Sequence, residues 1–158
     1  MDPISRGSLW SGIMEFRTIT TGAGALIYSQ RTARYLFLLR DTGSWSGTWA
    51  LPGGKIDQDE SVMAGLAREI REELGGVILA PKFVPIEQFT SADRHFVYHT
   101  FFVAVADEFI PILNNEHVGY SWLPLECAPR PLHPGVARTF GFDSVLEKIR
   151  TVESYCTV

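Results

Sequence analysis

The chain has 158 residues, of which 46% are apolar, and a formal net charge of −4. This length and composition suit one compact domain with a sizeable core. It contains no apolar run of about eighteen residues, which argues against a membrane helix. Lys and Arg form no cluster long enough to neutralise many phosphates, so we do not expect polymeric nucleic acid as a ligand.

The two cysteines, Cys127 and Cys156, show no metal-ligand spacing. Reduced thiols and a cytoplasmic location are therefore the expectation. Residues 1–14 are rich in Ser and Gly without a clear period, which indicates an N-terminal arm or a remnant of processing or cloning. Residues 15–158 are predicted to form a single domain.

The first half of this domain begins with two β-rich stretches. Residues 18–29 and 35–40 are separated by a mostly polar connection and predict a pair of strands. Residues 49–51 predict a short strand that ends at the turn-forming triplet 52–54. An acidic loop, 57–60, follows that triplet.

A helix is predicted next. Ser61 is a suitable N-cap, and apolar residues recur at helical spacing from Val62 to Leu74. Gly75 and Gly76 supply the usual C-terminal stop.

The second half alternates strands with loops. Stretches 83–89, 96–106 and 120–123 predict strands, and 96–106, the longest apolar-rich run, should lie centrally in the sheet. Residues 124–134 are rich in Pro and predict a loop before a last helix near 142–152. The fold class expected from this order is α/β (α+β).

Three glutamates on the predicted helix form the main chemical feature. Glu69, Glu72 and Glu73 are related by i, i+3 and i+4, so their carboxylates fall within an arc of about 100°. Arg68 and Arg71 relieve only part of the like-charge repulsion. A hard divalent cation would remove it, and Mg²⁺ prefers such oxygen ligands and shares them with phosphates. A solvated, charge-laced helix face is the alternative.

The surroundings of this run favour the metal hypothesis. Its spacing resembles the Nudix box, Gly-x5-Glu-x7-Arg-Glu-U-x-Glu-Glu-x-Gly-U, where U is a bulky aliphatic residue. The matching residues are Gly54, Glu60, Arg68, Glu69, Ile70, Glu72, Glu73 and Gly75. One position departs from the pattern, because Gly76 stands where the box closes on an aliphatic residue.

The resemblance implies a Nudix fold, a mixed β-sheet sandwiched between helices in an α/β/α arrangement. It also implies Mg²⁺ as cofactor, with Mn²⁺ as an alternative. The implied metal ligands are the carbonyl of Gly53 and the carboxylates of Glu69, Glu72, Glu73 and Glu116.

Other roles in the site follow from the same resemblance. Glu116 is preferred over Asp107 and Glu108 as the distant acid, because it precedes Trp122 at the family's spacing. Either Glu116 or Glu69 would be the general base. Arg68 would orient a neighbouring carboxylate. Glu60 would brace the loop or reach the metal through water, or act only as an ordinary acid near a helix start.

Substrate contacts are less well specified by the sequence. Arg40 and Arg94 are suited to phosphate oxygens, although either could be a solvated charge. Trp45 and Tyr98 could stack on a base. The alternative for both is a role in the core, which is preferred for Tyr98. Trp122 is expected in the core.

The implied function is hydrolysis of a nucleoside diphosphate linked to a group X by attack of water on phosphorus. A (deoxy)nucleoside triphosphate or a dinucleoside polyphosphate is preferred. The alternatives are an ADP-sugar or ADP-ribose pyrophosphatase and a non-catalytic nucleotide sensor, with an isomerase ranked last. Residues 92–94 carry neither the Pro of ADP-ribose enzymes nor the Tyr of diadenosine-polyphosphate enzymes. A homodimer is left open.

Overall fold

The structure is a computed structural model that describes residues 18–156, so the predicted arm, 1–14, lies outside the described residues. None of the helices in this range is both long and apolar enough to span a membrane. The strands are β1 (Thr20–Ser29), β2 (Arg34–Arg40), β3 (Trp49–Ala50), β4 (Gly53–Ile56), β5 (Val84–Thr90), β6 (Phe96–Val105) and β7 (His117–Leu123). The helices are α1 (Val62–Leu74), α2 (Pro134–Phe140) and α3 (Asp143–Cys156), with a short 3-10 helix at Leu125–Cys127.

The strands form one mixed sheet in the order β3-β2-β1-β6-β5. β1 and β6 pair in parallel along their full length, and the remaining strand pairs are antiparallel. β4 pairs with the first half of β1, and β7 pairs with β2. The predicted stretch 96–106 therefore corresponds to an interior strand, since β6 lies between β1 and β5.

Helices cover both faces of the sheet. On one face, Leu66, Ile70 and Leu74 of α1 pack against alternate residues of β1, β2 and β6. On the other face, Val136 of α2 and Ile149 of α3 pack against the side chains that point the opposite way. This alternation follows from the two-residue period of a strand. The predicted α/β/α sandwich is confirmed.

Helix α1 begins and ends as its sequence predicts. The Ser61 hydroxyl accepts a hydrogen bond from the Ala64 N–H at 3.1 Å, which satisfies one free donor of the first turn. Gly75 adopts φ +79°, and its N–H donates to the Arg71 carbonyl at 2.9 Å. These two caps fix the rotation and length of the helix that carries the glutamates.

The prediction of a simple turn at 52–54 is wrong. Gly53 and Gly54 begin β4, which pairs antiparallel with β1. Gly53 has φ +147°, and a Cβ at this position would collide with the Ala23 carbonyl oxygen. Only glycine allows the backbone to run this close to β1.

The prediction of an uninterrupted loop up to the last helix also needs correction. A short helix, α2, begins at Pro134, where proline occupies the first turn without losing a hydrogen bond. The backbone of Trp49 fixes the preceding segment, because its N–H donates to the Pro131 carbonyl and its carbonyl accepts from the His133 N–H. This pairing holds α2 beside the sheet.

Replacing Phe102 by alanine tests the packing beneath α3. Phe102 is fully buried, with its ring centroid 5.4 Å from that of Tyr28. We expect the Phe102→Ala variant to lose about 3–5 kcal/mol of unfolding free energy in urea denaturation. Tyr155→Ala, at a position that is 87% exposed, should change it by about 0.5 kcal/mol or less. Equal stabilities for the two variants would contradict the described core.

Candidate active site

The glutamates of α1 point in two directions. Glu73 faces the sheet, is only 2% exposed, and accepts a hydrogen bond from the Gly53 N–H at 2.6 Å. It lies three residues after Ile70 and seven after Leu66, on the apolar stripe of the helix. Glu72 is the next residue back, and its side chain is 53% exposed. The helix thus presents one buried and one open carboxylate.

Arg68 connects the remaining acids of this patch. Its Nη1 donates to Glu69 at 3.1 Å and to both carboxylate oxygens of Glu72 at 3.2 Å. Its Nε and Nη2 donate to the two oxygens of Glu60 at 3.1 and 2.6 Å. This two-point pairing suits the planar guanidinium. Arg68 therefore fixes the orientation of three carboxylates.

Glu60 holds the loop before the helix. Its carboxylate also accepts from the Asp57 N–H at 2.8 Å. The Arg68 hydrogen bonds, followed by that of Asp57, lower the pKa of Glu60 to about 2. Of the roles predicted for Glu60, the geometry supports bracing the loop.

A second cluster joins α1 to β7. Glu73, Glu116 and His117 offer oxygen and nitrogen atoms that all lie within 4.8 Å of one another, as a metal site requires. The His117 Nδ1 lies 3.3 Å from a Glu73 oxygen, but the angles do not form a hydrogen bond, and this buried nitrogen has no partner. The predicted distant acid, Glu116, is therefore next to Glu73.

Without a cation, burial and the neighbouring charges disfavour the ionised forms of these side chains. Burial raises the pKa of Glu73 to about 8, and the nearby charges of Glu69 and Glu116 add to the effect. Burial also raises the pKa of Glu69, and it lowers the pKa of His117, which favours the neutral ring. A divalent cation would reverse the balance for the carboxylates. The donor set, mainly carboxylate oxygens, fits a hard cation.

A cavity of about 240 Å³ lies on the α2 side of the sheet. Gly53 and Gly54 form the wall that it shares with the carboxylates, because Gly53 bonds Glu73 and a side chain at Gly54 would come within 2.7 Å of the Glu69 carboxyl carbon. The lining residues are Arg40, Ala50, Leu51, Gly53, Gly54, Phe96, Tyr98, Thr100, His133, Gly135, Val136, Arg138 and Thr139.

Only some of the predicted substrate contacts line this cavity. Arg40 and Tyr98 line it, so Tyr98 is not simply a core residue. Trp45 is 48% exposed, and its ring lies 5.8 Å from that of His133 on the cavity wall. Arg94 sits in an exposed turn before β6 and does not line the cavity. Trp122 is buried, as predicted.

The lining residues that the sequence analysis did not identify include Thr100, His133 and Arg138. His133 and Arg138 belong to α2 and its cap, which the Pro-rich composition concealed. A signal was present, because His133 followed by Pro134 is a helix start whose imidazole Nδ1 accepts from the Gly135 N–H at 3.0 Å. Thr100 carried no comparable signal.

A sheet covered by helices on both faces, with a glutamate patch beside a cavity, is the arrangement that the resemblance to the Nudix family implies. Residues 18–141 match the family model of the NUDIX domain. The chain belongs to the Nudix family and is a MutT-like hydrolase of phosphorus anhydrides.

Known proteins of this family are similar over most of their length. The nucleoside triphosphatase NudI of Escherichia coli is 35% identical over 97 residues, which cover 54% of this chain and 68% of NudI. NudI of Escherichia fergusonii is 30% identical over 118 residues, which cover 67% of this chain and 83% of that NudI. The MutT Nudix hydrolase structure from Burkholderia pseudomallei has a TM-score of 0.65 at 29% identity and covers 82% of this chain and 97% of its own.

The buried Glu73 predicts an unusual dependence of stability on pH in metal-free protein. Its pKa rises from an ordinary 4.5 to about 8, so the folded state keeps a proton that the unfolded state has released. This stabilisation is complete below about pH 4.5 and is lost as pH rises through about 8. The Glu73-dependent slope is at most about 1.4 kcal/mol per pH unit.

Urea unfolding of chelator-treated protein at several pH values between 4.5 and 8 measures this slope. The Glu73→Gln variant is the control, and its profile should be flatter. Parallel profiles for the two proteins would show that Glu73 does not retain a proton in the fold.

Proposed function

We propose that this protein hydrolyses (deoxy)nucleoside triphosphates or dinucleoside polyphosphates in a Mg²⁺-dependent reaction. The observation that carries the proposal is the buried, crowded Glu73 in contact with the wall of the cavity. The nucleoside triphosphatases among the relatives support a triphosphate substrate. A triphosphate would then give a nucleoside monophosphate and pyrophosphate. Cytoplasmic location and homodimer formation stay predictions from the sequence.

The residues that would hold the cation lie on α1, on β4 and in the turn before β7. They are the carbonyl of Gly53 and the carboxylates of Glu69, Glu72, Glu73 and Glu116. Mg²⁺ is the preferred ion, with Mn²⁺ as the alternative, since the carboxylate set is hard. When bound, the ion would lower the pKa of a coordinated water and offset charge on the phosphate oxygens.

The general base in this proposal is Glu116, with Glu69 as the alternative. Glu116 is exposed and stands beside Glu73, where its carboxylate can accept a proton from water. The water oxygen then attacks phosphorus, and the bond from phosphorus to the leaving phosphate breaks. Glu69 is held by Arg68 at 3.1 Å, which leaves it less free to take the proton.

Arg40 would bind phosphate next to this site. It is half-buried, and it lines the cavity while its charge acts on Glu73. A guanidinium in that place matches phosphate oxygens geometrically. Tyr98 and Trp45 would contact the remainder of the substrate from the cavity wall and its neighbourhood.

Removing a carboxylate from the patch should strongly reduce turnover. In a screen of nucleotides with and without Mg²⁺, we expect Glu72→Gln and Glu73→Gln to lower kcat by about 100-fold or more. Glu147→Gln, on the exposed face of α3, is the matched control and should keep full activity. Unchanged turnover in the Glu72 and Glu73 variants would disprove the metal site. Tight nucleotide binding by the unmodified protein without any product would instead identify a sensor.

The kcat values of two variants separate the two possible bases. We expect Glu116→Gln to reduce kcat by about 10²- to 10⁴-fold, because it removes the group that takes the proton from water. Glu69→Gln should lower kcat less than Glu116→Gln does. The reverse order would assign the base to Glu69.

A further inference from the structure

Two arginines that line the cavity have buried nitrogen atoms without a hydrogen-bond partner among the described residues. Within residues 18–156, the buried side-chain atoms without a hydrogen-bond partner are Arg40 Nε, Thr100 Oγ1, His117 Nδ1 and Arg138 Nε. All of them except the His117 atom belong to residues that line the cavity. A guanidinium Nε–H can only donate. Buried donors are normally paired, so the protein's own acceptors in this range leave both guanidiniums incompletely hydrogen-bonded.

Arg138 is held in place rather than solvated. Its guanidinium carbon lies 3.4 Å from the centroid of the Phe89 ring on β5. The neighbouring Thr139 hydroxyl donates to the Glu87 carboxylate at 3.0 Å, which ties α2 to the same strand. Stacking on an aromatic ring restricts the plane of the guanidinium. The guanidinium of Arg138 is thus held in one orientation at the edge of the cavity that it lines.

His133 is another hydrogen-bond donor among the lining residues. Because its Nδ1 accepts from Gly135, the neutral ring carries its hydrogen on Nε2. Burial, together with the charges of Arg40 and Arg138, lowers the pKa of His133 and so favours the neutral ring. No Asp or Glu of the described chain lines the cavity. The charged side chains of the lining are therefore all cationic, and within residues 18–156 its side-chain acceptors are limited to the hydroxyls of Tyr98, Thr100 and Thr139 and the His133 ring.

The shape of the cavity favours a heterocyclic ring over a phosphate group. Apolar groups of Ala50, Leu51, Phe96 and Val136 form much of the wall. A volume of about 240 Å³ lies below the roughly 300–1,000 Å³ of pockets that hold a whole drug-sized ligand, so one end of a nucleotide would enter. The phosphates would lie beside the carboxylates, within reach of Arg40, whose charge also acts on Glu73.

We infer that this cavity selects nucleobases that present carbonyl oxygens, as hypoxanthine, guanine, uracil and thymine do, over the amino bases adenine and cytosine. Arginine pairs with the O6 and N7 acceptors of guanine, whereas adenine and cytosine turn an amino donor toward the same position. This inference rests on the proposed function and names the base class of its substrate. Arg138 is the specificity-determining residue.

Paired nucleotides test the inference without any variant. dIMP and dAMP differ at purine position 6, and dUMP and dCMP differ at pyrimidine position 4. Calorimetry with Mg²⁺ should show each oxo member binding about 5- to 150-fold more tightly. The corresponding triphosphates should show the same order in kcat/KM. Equal affinities, which phosphate binding in the cavity would produce, overturn the inference, as does a preference for the amino bases.

Arg138→Gln tests which residue is responsible. A glutamine amide pairs with amino bases as readily as with oxo bases, so the affinity ratio should fall close to one. Arg31→Gln removes the same charge from an exposed position and should keep the ratio of the unmodified protein. Thermal unfolding of both variants verifies that they are folded. An unchanged ratio in folded Arg138→Gln contradicts the role of Arg138.

The two proposals fail in different ways. Monophosphates have no anhydride to cleave, so their binding reports on the cavity alone. Oxo preference without triphosphate hydrolysis would disprove the proposed function and keep the inference. Hydrolysis of triphosphates with no preference among the bases would do the opposite.

Discussion

The hydrogen bond between the Gly53 N–H and the buried Glu73 carboxylate links the carboxylates of α1 to the cavity. It connects α1 to β4 at 2.6 Å, where the helix meets the sheet. β4 pairs with β1, and Gly53 also lines the cavity. One contact therefore couples the position of the buried carboxylate to the wall of the cavity. Its geometry depends on a glycine, because β1 leaves no room for a side chain.

A charged carboxylate is energetically unfavourable at this buried position. Burial disfavours its charge, and the neighbouring acids disfavour it further. Arg68 compensates on the open side of the helix, where it holds Glu60, Glu69 and Glu72, but it does not reach Glu73. The fold thus keeps an electrostatic conflict at the point where a cation and phosphates would relieve it. Functional sites commonly store such local cost.

Much of this could be predicted from the sequence, because the relevant signals are local. The caps of α1 and the spacing of its glutamates depend on residues within a few turns of one another. The burial of Glu73 can also be predicted, since Glu73 continues the stripe of Leu66 and Ile70. The spacing of the three glutamates, taken by itself, instead predicts one shared patch. The approach of Glu116 to Glu73 followed only from the family resemblance.

The cavity could not be predicted, because its wall comes from distant parts of the chain. The parallel pairing of β1 with β6 brings Tyr98 opposite Gly22 and Thr100 opposite Gly24, and no short-range pattern encodes that register. Arg138 reaches the same space only because the backbone of Trp49 anchors the segment before α2. Composition alone made that segment look like a loop.

The shared wall of Gly53 and Gly54 has a consequence for how such an enzyme diversifies. Changes in this wall would disturb the cavity and the carboxylates together, so it resists substitution from both sides. Helix α2 carries Arg138 and lies on the face of the sheet opposite α1. Substitutions on α2 can therefore change the lining of the cavity while the carboxylates of α1 keep their positions.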